Sequence, residues 1–258
     1  MNSAYHRSPA AVDRQRCQYT PEDAIAAHGT PNYRYIGNVV YGGLDGIITT
    51  FAVVSGVAGA QLGAGVVLIL GVANLLADGI SMATGAYLSN RSEREYYERE
   101  RQREQWQITQ YPAVEQQVLR NIYANAGYET ADIERLIEIQ ARDPERWATT
   151  MLIEELGLLA DERKPWGIAL STFAAFVIAG VIPLLGYIVG LFTPIAPTMA
   201  LLTSLILSAL ALFGLGAAKV WVTERNPWRS GLHMLLVGGL AASVAYGVGV
   251  LFQGIGQR

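Results

Sequence analysis

Two acids stand where charge is costly. Asp45 lies in "NVVYGGLDGIITTFAVVSGVAGA" (38–60) and Asp78 in "NLLADGISMATGAYLS" (74–89), both otherwise apolar or small. A charged side chain near a bilayer centre costs at least about 2.5–3.5 kcal/mol on insertion scales, so such residues face a bundle interior or wet cavity and mark ion or proton pathways. The plainer alternative is a structural carboxylate hydrogen-bonded inside the bundle. Asn74 and Asp78 are one helical turn apart, Ser81 and Met82 follow one turn on, and Thr49 lies one turn beyond Asp45. These spacings give two polar stripes, as expected of a lined path. A carboxylate beside a thioether suits a borderline transition metal such as Fe²⁺ better than Mg²⁺ or Ca²⁺, which avoid sulfur.

A second set of acids follows in "SNRSEREYYERERQREQWQI" (89–108). On a helix, Glu93, Glu100 and Glu104 share a stripe with Tyr96 and Tyr97, Glu95 and Glu98 form a second pair, and Arg94, Arg99, Arg101 and Arg103 interleave. A third source is "TMLIEELGLL" (150–159), where Glu154 and Glu155 stand near Met151. Hard divalent cations favour several oxygen ligands, which carboxylates converging from more than one helix can supply. The plainer alternative is a solvated helix laced with ion pairs.

The elements that must position these groups are read from composition. The chain has 258 residues, 51% hydrophobic and 16% charged, with a mean hydropathy of +0.24. The apolar residues are blocked into five stretches, about 37–60, 64–89, 167–192, 196–222 and 230–252. Each meets the roughly 20 residues that a helix needs to cross a bilayer. The fold class is therefore all-α: a polytopic membrane protein of five transmembrane helices. Residues 1–35 form a polar leader, 36–90 the first two spans, 91–165 a soluble helical insert, and 166–258 the last three spans. No Gly or Pro lies between Gly85 and Pro112, so the second span should run out of the membrane by several turns. In the insert, Val114, Val118 and Ile122, then Ile133, Leu136 and Ile137, have helical spacing, with Gly127, Pro144 and Gly157 as stops. Pro183 should kink span three.

Topology follows from the cations. Of the 19 Lys and Arg, all but Arg258 fall on one side of a five-span chain: four in the leader, eleven in the insert, and Lys219, Arg225 and Arg229 at the turn before span five. The positive-inside rule puts the N-terminus and residues 91–165 in the cytoplasm and the C-terminus opposite. The leader has no apolar stretch for a signal peptide; Thr20 and Pro21 could open a short helix, and Cys17 is the only cysteine. The insert carries 16 acids against 11 bases, which fits a cation site and not nucleic acid. An enzyme is not expected: His6, His28 and His233 are the only histidines, none in the insert, and the Glu-x-x-His pairs of di-iron bundles are absent.

"GGLDGIITTFAVVSGVAGA" and "NLLADGISMATGAYLSNRSE" resemble the first two spans of the vacuolar iron transporter family. "MLIEELGL" and "NPWRSGLHMLLVGGLAA" resemble its bacterial members, and the likeness covers about residues 36–252. The resemblance implies a homodimer with an Fe²⁺ path at the dimer interface lined by span one; the expected location is the cell (inner) membrane. It implies exchange of Fe²⁺ for H⁺, with Mn²⁺ and other divalents as further cargo, no cofactor, and a cytoplasmic metal-binding insert. Asp45 falls on the family's pore Asp and Met82 on its pore Met; Glu93, Glu104 and Glu155 fall on insert carboxylates, and Met151 on a thioether. Gln107, Leu152, Tyr96 and Asn74 stand where vacuolar-type members tend to carry acids. The insert site is therefore expected to be either weaker here or built differently, from Glu100 and Glu154. The expected function is proton-coupled transport of Fe²⁺ out of the cytoplasm; the alternative is a membrane-anchored protein that binds or senses divalent metal without moving it.

Overall fold

The structure is a computed structural model that describes residues 35–218 and 226–253. Among these, every regular element is a helix and none is a strand. In chain order they are α1 (Ile36–Gly59), α2 (Ala64–Gln110), α3 (Pro112–Asn125), α4 (Thr130–Gln140), α5 (Pro144–Glu154), α6 (Pro165–Gly180), a 3-10 turn (Ile182–Leu184), α7 (Leu185–Val189), α8 (Pro197–Ala218) and α9 (Pro227–Leu251). Five helical segments are long and apolar enough to cross a membrane: α1, α2, α6 with α7, α8 and α9. The expectations for Cys17, the Thr20–Pro21 helix, Lys219, Arg225 and Arg258 lie outside the described residues.

Local chemistry explains the boundaries. Pro112, Pro144, Pro165 and Pro227 each open a helix at its first position, where the missing N–H has no helical partner to lose. Asp143 and Asn226 cap two of them, accepting from the backbone N–H of Arg146 (3.2 Å) and Trp228 (3.0 Å). Gly157, at φ +65°, lies just past the end of α5. Lacking any internal breaker after Gly85, α2 runs for 47 residues, about 70 Å at 1.5 Å per residue. That is roughly 40 Å more than a hydrocarbon core requires. The boundary placed at 90/91 therefore falls inside one continuous helix. Pro183 does break span three: α6 stops at Gly180, and the 3-10 turn precedes α7.

The least apolar span, α1, is also the most buried, and it packs against α2, α6, α8 and α9. Glycine makes this possible. A Cβ on Gly42 would lie 2.6 Å from the Thr172 carbonyl oxygen, and one on Gly46 would strike the Phe176 carbonyl. Gly46→Ala should therefore push α1 off α6, at the 1–3 kcal/mol or so typical of overpacking. In detergent its melting temperature should fall by several degrees. Gly85→Ala, with nothing within 4 Å of the new methyl, should melt like the parent protein or slightly higher.

The insert has its own apolar centre: Ile108, Leu119, Tyr123, Ile133, Ile137, Trp147, Ala148 and Met151. Arg120 grips Glu134 with two bonds (2.7 and 3.0 Å), tying α3 to α4. The return to the membrane is pinned at Asp161, whose carboxylate accepts from the buried Asn90 of α2 (2.7 Å) and from the Arg163 guanidinium (2.8–3.0 Å). The Arg163 bonds hold Asp161 down at about 2, so this joint persists at any physiological pH.

Candidate metal centre

Three carboxylates converge in the insert. Glu104 comes from α2, Glu115 from the first turn of α3, and Glu155 from the residue that ends α5. One oxygen of each lies within 4.8 Å of the others. Glu104 and Glu115 are buried and Glu155 is exposed, so the cluster opens to solvent on one side. One oxygen of Glu104 is buried with no hydrogen-bond partner among the described residues. Burial pushes the Glu104 carboxyl up to about 7, helped by the charges of Glu155, Glu115 and Glu100 and opposed by Arg103. Glu115 is raised too, by burial and then by Glu155. Acids packed this way without metal must hold a proton or repel one another; a divalent cation relieves both conditions.

This has a measurable consequence. A carboxyl whose folded pKa is raised binds protons in the native state that the unfolded chain has already released. Stability therefore rises as pH falls from about 7 toward the ordinary glutamate range near 4.5, and is lost in the opposite direction. The metal-free protein should melt at a higher temperature at pH 5.5 than at pH 7.5, by an amount worth roughly 1–3 kcal/mol. Glu104→Gln should flatten that slope, as read by thermal unfolding across pH.

The other expected insert ligands sit elsewhere. Glu100, one turn from Glu104, is buried but accepts from Arg99 (2.8 and 3.2 Å) and Arg103 (3.5 Å). The Arg99 hydrogen bond, ahead of its charge and that of Arg103, holds Glu100 below the usual carboxylate range. It is thus already neutralised. Glu93 is exposed, accepts from Ser89 (3.3 Å), and lies 11 residues before Glu104, about 16 Å along the helix. Glu154 is exposed and outside the cluster. Glu95 and Glu98 pair with Arg91 (2.7 Å) and Arg101 (3.5 Å), ordinary surface ion pairs. Met151 is fully buried in the apolar centre, one turn before Glu155. Leu152 is fully buried and Gln107 half-buried, so neither adds an acid. Glu115 was not anticipated. Its signal is an acid on the buried stripe Glu115–Leu119–Tyr123.

Within the membrane, Asp45 and Asp78 are both half-buried and within electrostatic reach of one another. Gly46 and Gly79 both abut Phe176, so Asp45 is level with Asp78 rather than with Met82. Met82 lies four residues, about 6 Å, nearer the insert, half-buried against the apolar cluster that contains Phe176. The Thr49 hydroxyl donates to the Asp45 carbonyl (2.8 Å) and so closes its own helix. Ser81 is exposed. Asn74 lines an open groove of about 500 Å³ between α1 and α2, with Val53, Gly56, Val57, Leu70, Ala73 and Ala77. Its buried Nδ2 has no partner among the described residues. No Lys or Arg occurs between Ile36 and Leu88 to neutralise these acids from within the two spans.

Comparison with known proteins agrees with this architecture. A family model described as "VIT family" matches residues 36–250. A protein named vacuolar iron transporter from Toxoplasma gondii is 40% identical over 232 residues, covering 88% of this chain and 77% of that protein. Vacuolar iron transporter 1 of Eucalyptus grandis is 31% identical over 247 residues, covering 95% and 96%. The vacuolar iron transporter of Plasmodium berghei is 33% identical over 237 residues, covering 90% and 87%.

Proposed function

This chain belongs to the VIT family, and on that premise we propose that it carries Fe²⁺ out of the cytoplasm in exchange for protons, with Mn²⁺ as a further cargo. What carries the reading is an acid cluster outside the membrane and, inside it, two half-buried acids with the open α1–α2 groove beyond them, joined by one unbroken helix. Glu104, Glu115 and Glu155 gather the cation, and Met151 supplies a thioether beside them once the insert relaxes around metal. From Glu104 to Met82 is 22 residues of α2, about 33 Å. The ion then meets Met82, Asp45 and Asp78, passes Asn74 in the α1–α2 groove, and leaves on the far side. Asp45 is the coupling group: ionised while the cation is present, protonated when it leaves.

The groove is open along one flank, and Asp45 and Asp78, nearer the insert on the same two helices, are only half-buried. A second copy of the chain would close it, so we assign the α1–α2 face to the two-fold interface of a homodimer. The leader and the insert lie in the cytoplasm of a cell (inner) membrane, on the distribution of Lys and Arg. Nothing in this chemistry calls for a covalent step, so the protein acts as a carrier and not an enzyme.

The test is flux through the intact protein in liposomes with an Fe²⁺-sensitive dye inside. Quenching that develops with time and requires the protein supports transport. Saturable Fe²⁺ binding without quenching overturns it in favour of the binding or sensing alternative.

A further inference from the structure

We propose that the bundle holds internal water at a second polar site, between α1 and α8 and turned away from Asp45. Hydroxyls in membrane helices satisfy themselves by bonding back to their own carbonyls. Here Thr49 donates to the Asp45 carbonyl (2.8 Å), Ser171 and Thr172 to Ile168 (2.9 and 2.8 Å), Thr203 to Met199 (2.8 Å) and Ser243 to Gly239 (2.7 Å). Thr50, Ser204 and Ser208 do not. Each is fully buried, and none of the three hydroxyl oxygens has a partner among the described residues.

Packing puts the three within about one helical turn of a common depth. Gly43 of α1 faces Leu215 of α8. Further along, a cavity of about 550 Å³ brings Phe51 and Ser55 beside Leu201, Leu202 and Leu205. Between these two points the antiparallel register sets Thr50 level with Ser204 and Ser208. Thr50 follows Asp45 by five residues, about 140° around the helix, so the two side chains leave different faces of α1.

The same level holds the break in span three. Gly42 and Gly46 pack on Thr172 and Phe176. Continuing that parallel register puts Thr50 beside Gly180, where α6 ends. Pro183 then interrupts the ladder, which resumes through a Leu184 N–H donation to the Val181 carbonyl (2.9 Å). Irregular backbone at membrane depth persists where protein buries it or where it borders water. Three neutral hydroxyls bring no charge to offset a dication, but they provide the two to four partners that a buried water needs.

A high-resolution map of the full-length protein should show ordered peaks within about 3.2 Å of at least two of the three hydroxyl oxygens. Thr50→Val with Ser204→Ala and Ser208→Ala should melt about 2–4 °C or more below the parent. Where that triple variant fails to fold, Ser208→Ala alone should remove the peak nearest position 208. A map with no peaks and the hydroxyls turned onto their own carbonyls overturns the proposal. So does an unchanged or higher melting temperature, because apolar isosteres relieve hydroxyls that were merely unpaired. A peak that exchanges with Tl⁺ also overturns it, in favour of a monovalent cation.

Discussion

Asp45→Asn should reduce Fe²⁺ flux in proteoliposomes by on the order of 100-fold or more while the protein remains folded. A dication stripped of water at membrane depth needs a compensating anion, and insertion costs show what an unbalanced charge forfeits there. Each tenfold loss of rate corresponds to about 1.4 kcal/mol of barrier. Asn keeps the shape and loses the charge, so the change isolates electrostatics. Asp78→Asn removes the neighbouring acid within electrostatic reach. It should slow flux less, because Asp45 still offers its carboxylate to the ion. Equal flux from Asp45→Asn and parent would remove Asp45 from the route. Thr49→Val is a useful contrast: its hydroxyl already serves the Asp45 carbonyl, so flux should stay within about threefold.

The second large effect lies in the insert. Glu104→Gln, Glu115→Gln or Glu155→Gln should each weaken Fe²⁺ or Co²⁺ binding to the intact protein by at least about 10–100-fold, the loss typical even for residues that only support a ligand. Glu93→Gln and Glu154→Gln should be close to neutral, since both are outside the cluster. Because Glu104 is raised to about 7, metal must displace its proton below that pH. Apparent affinity should drop roughly tenfold per unit as pH falls from 7 to 5.5, and Glu104→Gln should blunt that dependence. Calorimetry at several pH values reads both effects. Equal losses at Glu93 and Glu104 would mean that binding follows net charge rather than a built site.

The spans, the protruding second helix and the break at Pro183 were legible because they depend on local chemistry: run length, absence of breakers, a missing N–H. Asp45 and Asp78 were legible for a related reason, since an acid in an apolar run stands out wherever it points. The insert site was harder. An acid in the first turn of a helix reads as a partner for the helix dipole, and only the fold-back of α3 beside α2 places Glu115 against Glu104. Glu100 shares the Glu104 stripe, as its spacing required, yet Arg99 and Arg103 neutralise it, and spacing does not show where an arginine will turn. Between Glu154 and Glu155 the spacing did hold information. Glu155 continues the Trp147–Met151 stripe of α5, which packs inward, while Glu154 turns outward. The level of Asp45 against α2 was not legible, because the glycines that seat both helices on Phe176 set that register and span ends do not.

The account stands most directly on one paired recording: lumenal Fe²⁺ and lumenal pH followed together in liposomes whose insert faces outward. Added Fe²⁺ should enter while the lumen turns alkaline, faster when the lumen starts acidic, with both signals absent in Asp45→Asn. Fe²⁺ uptake that proceeds at the same rate with no lumenal pH change, or that persists in Asp45→Asn, would contradict it.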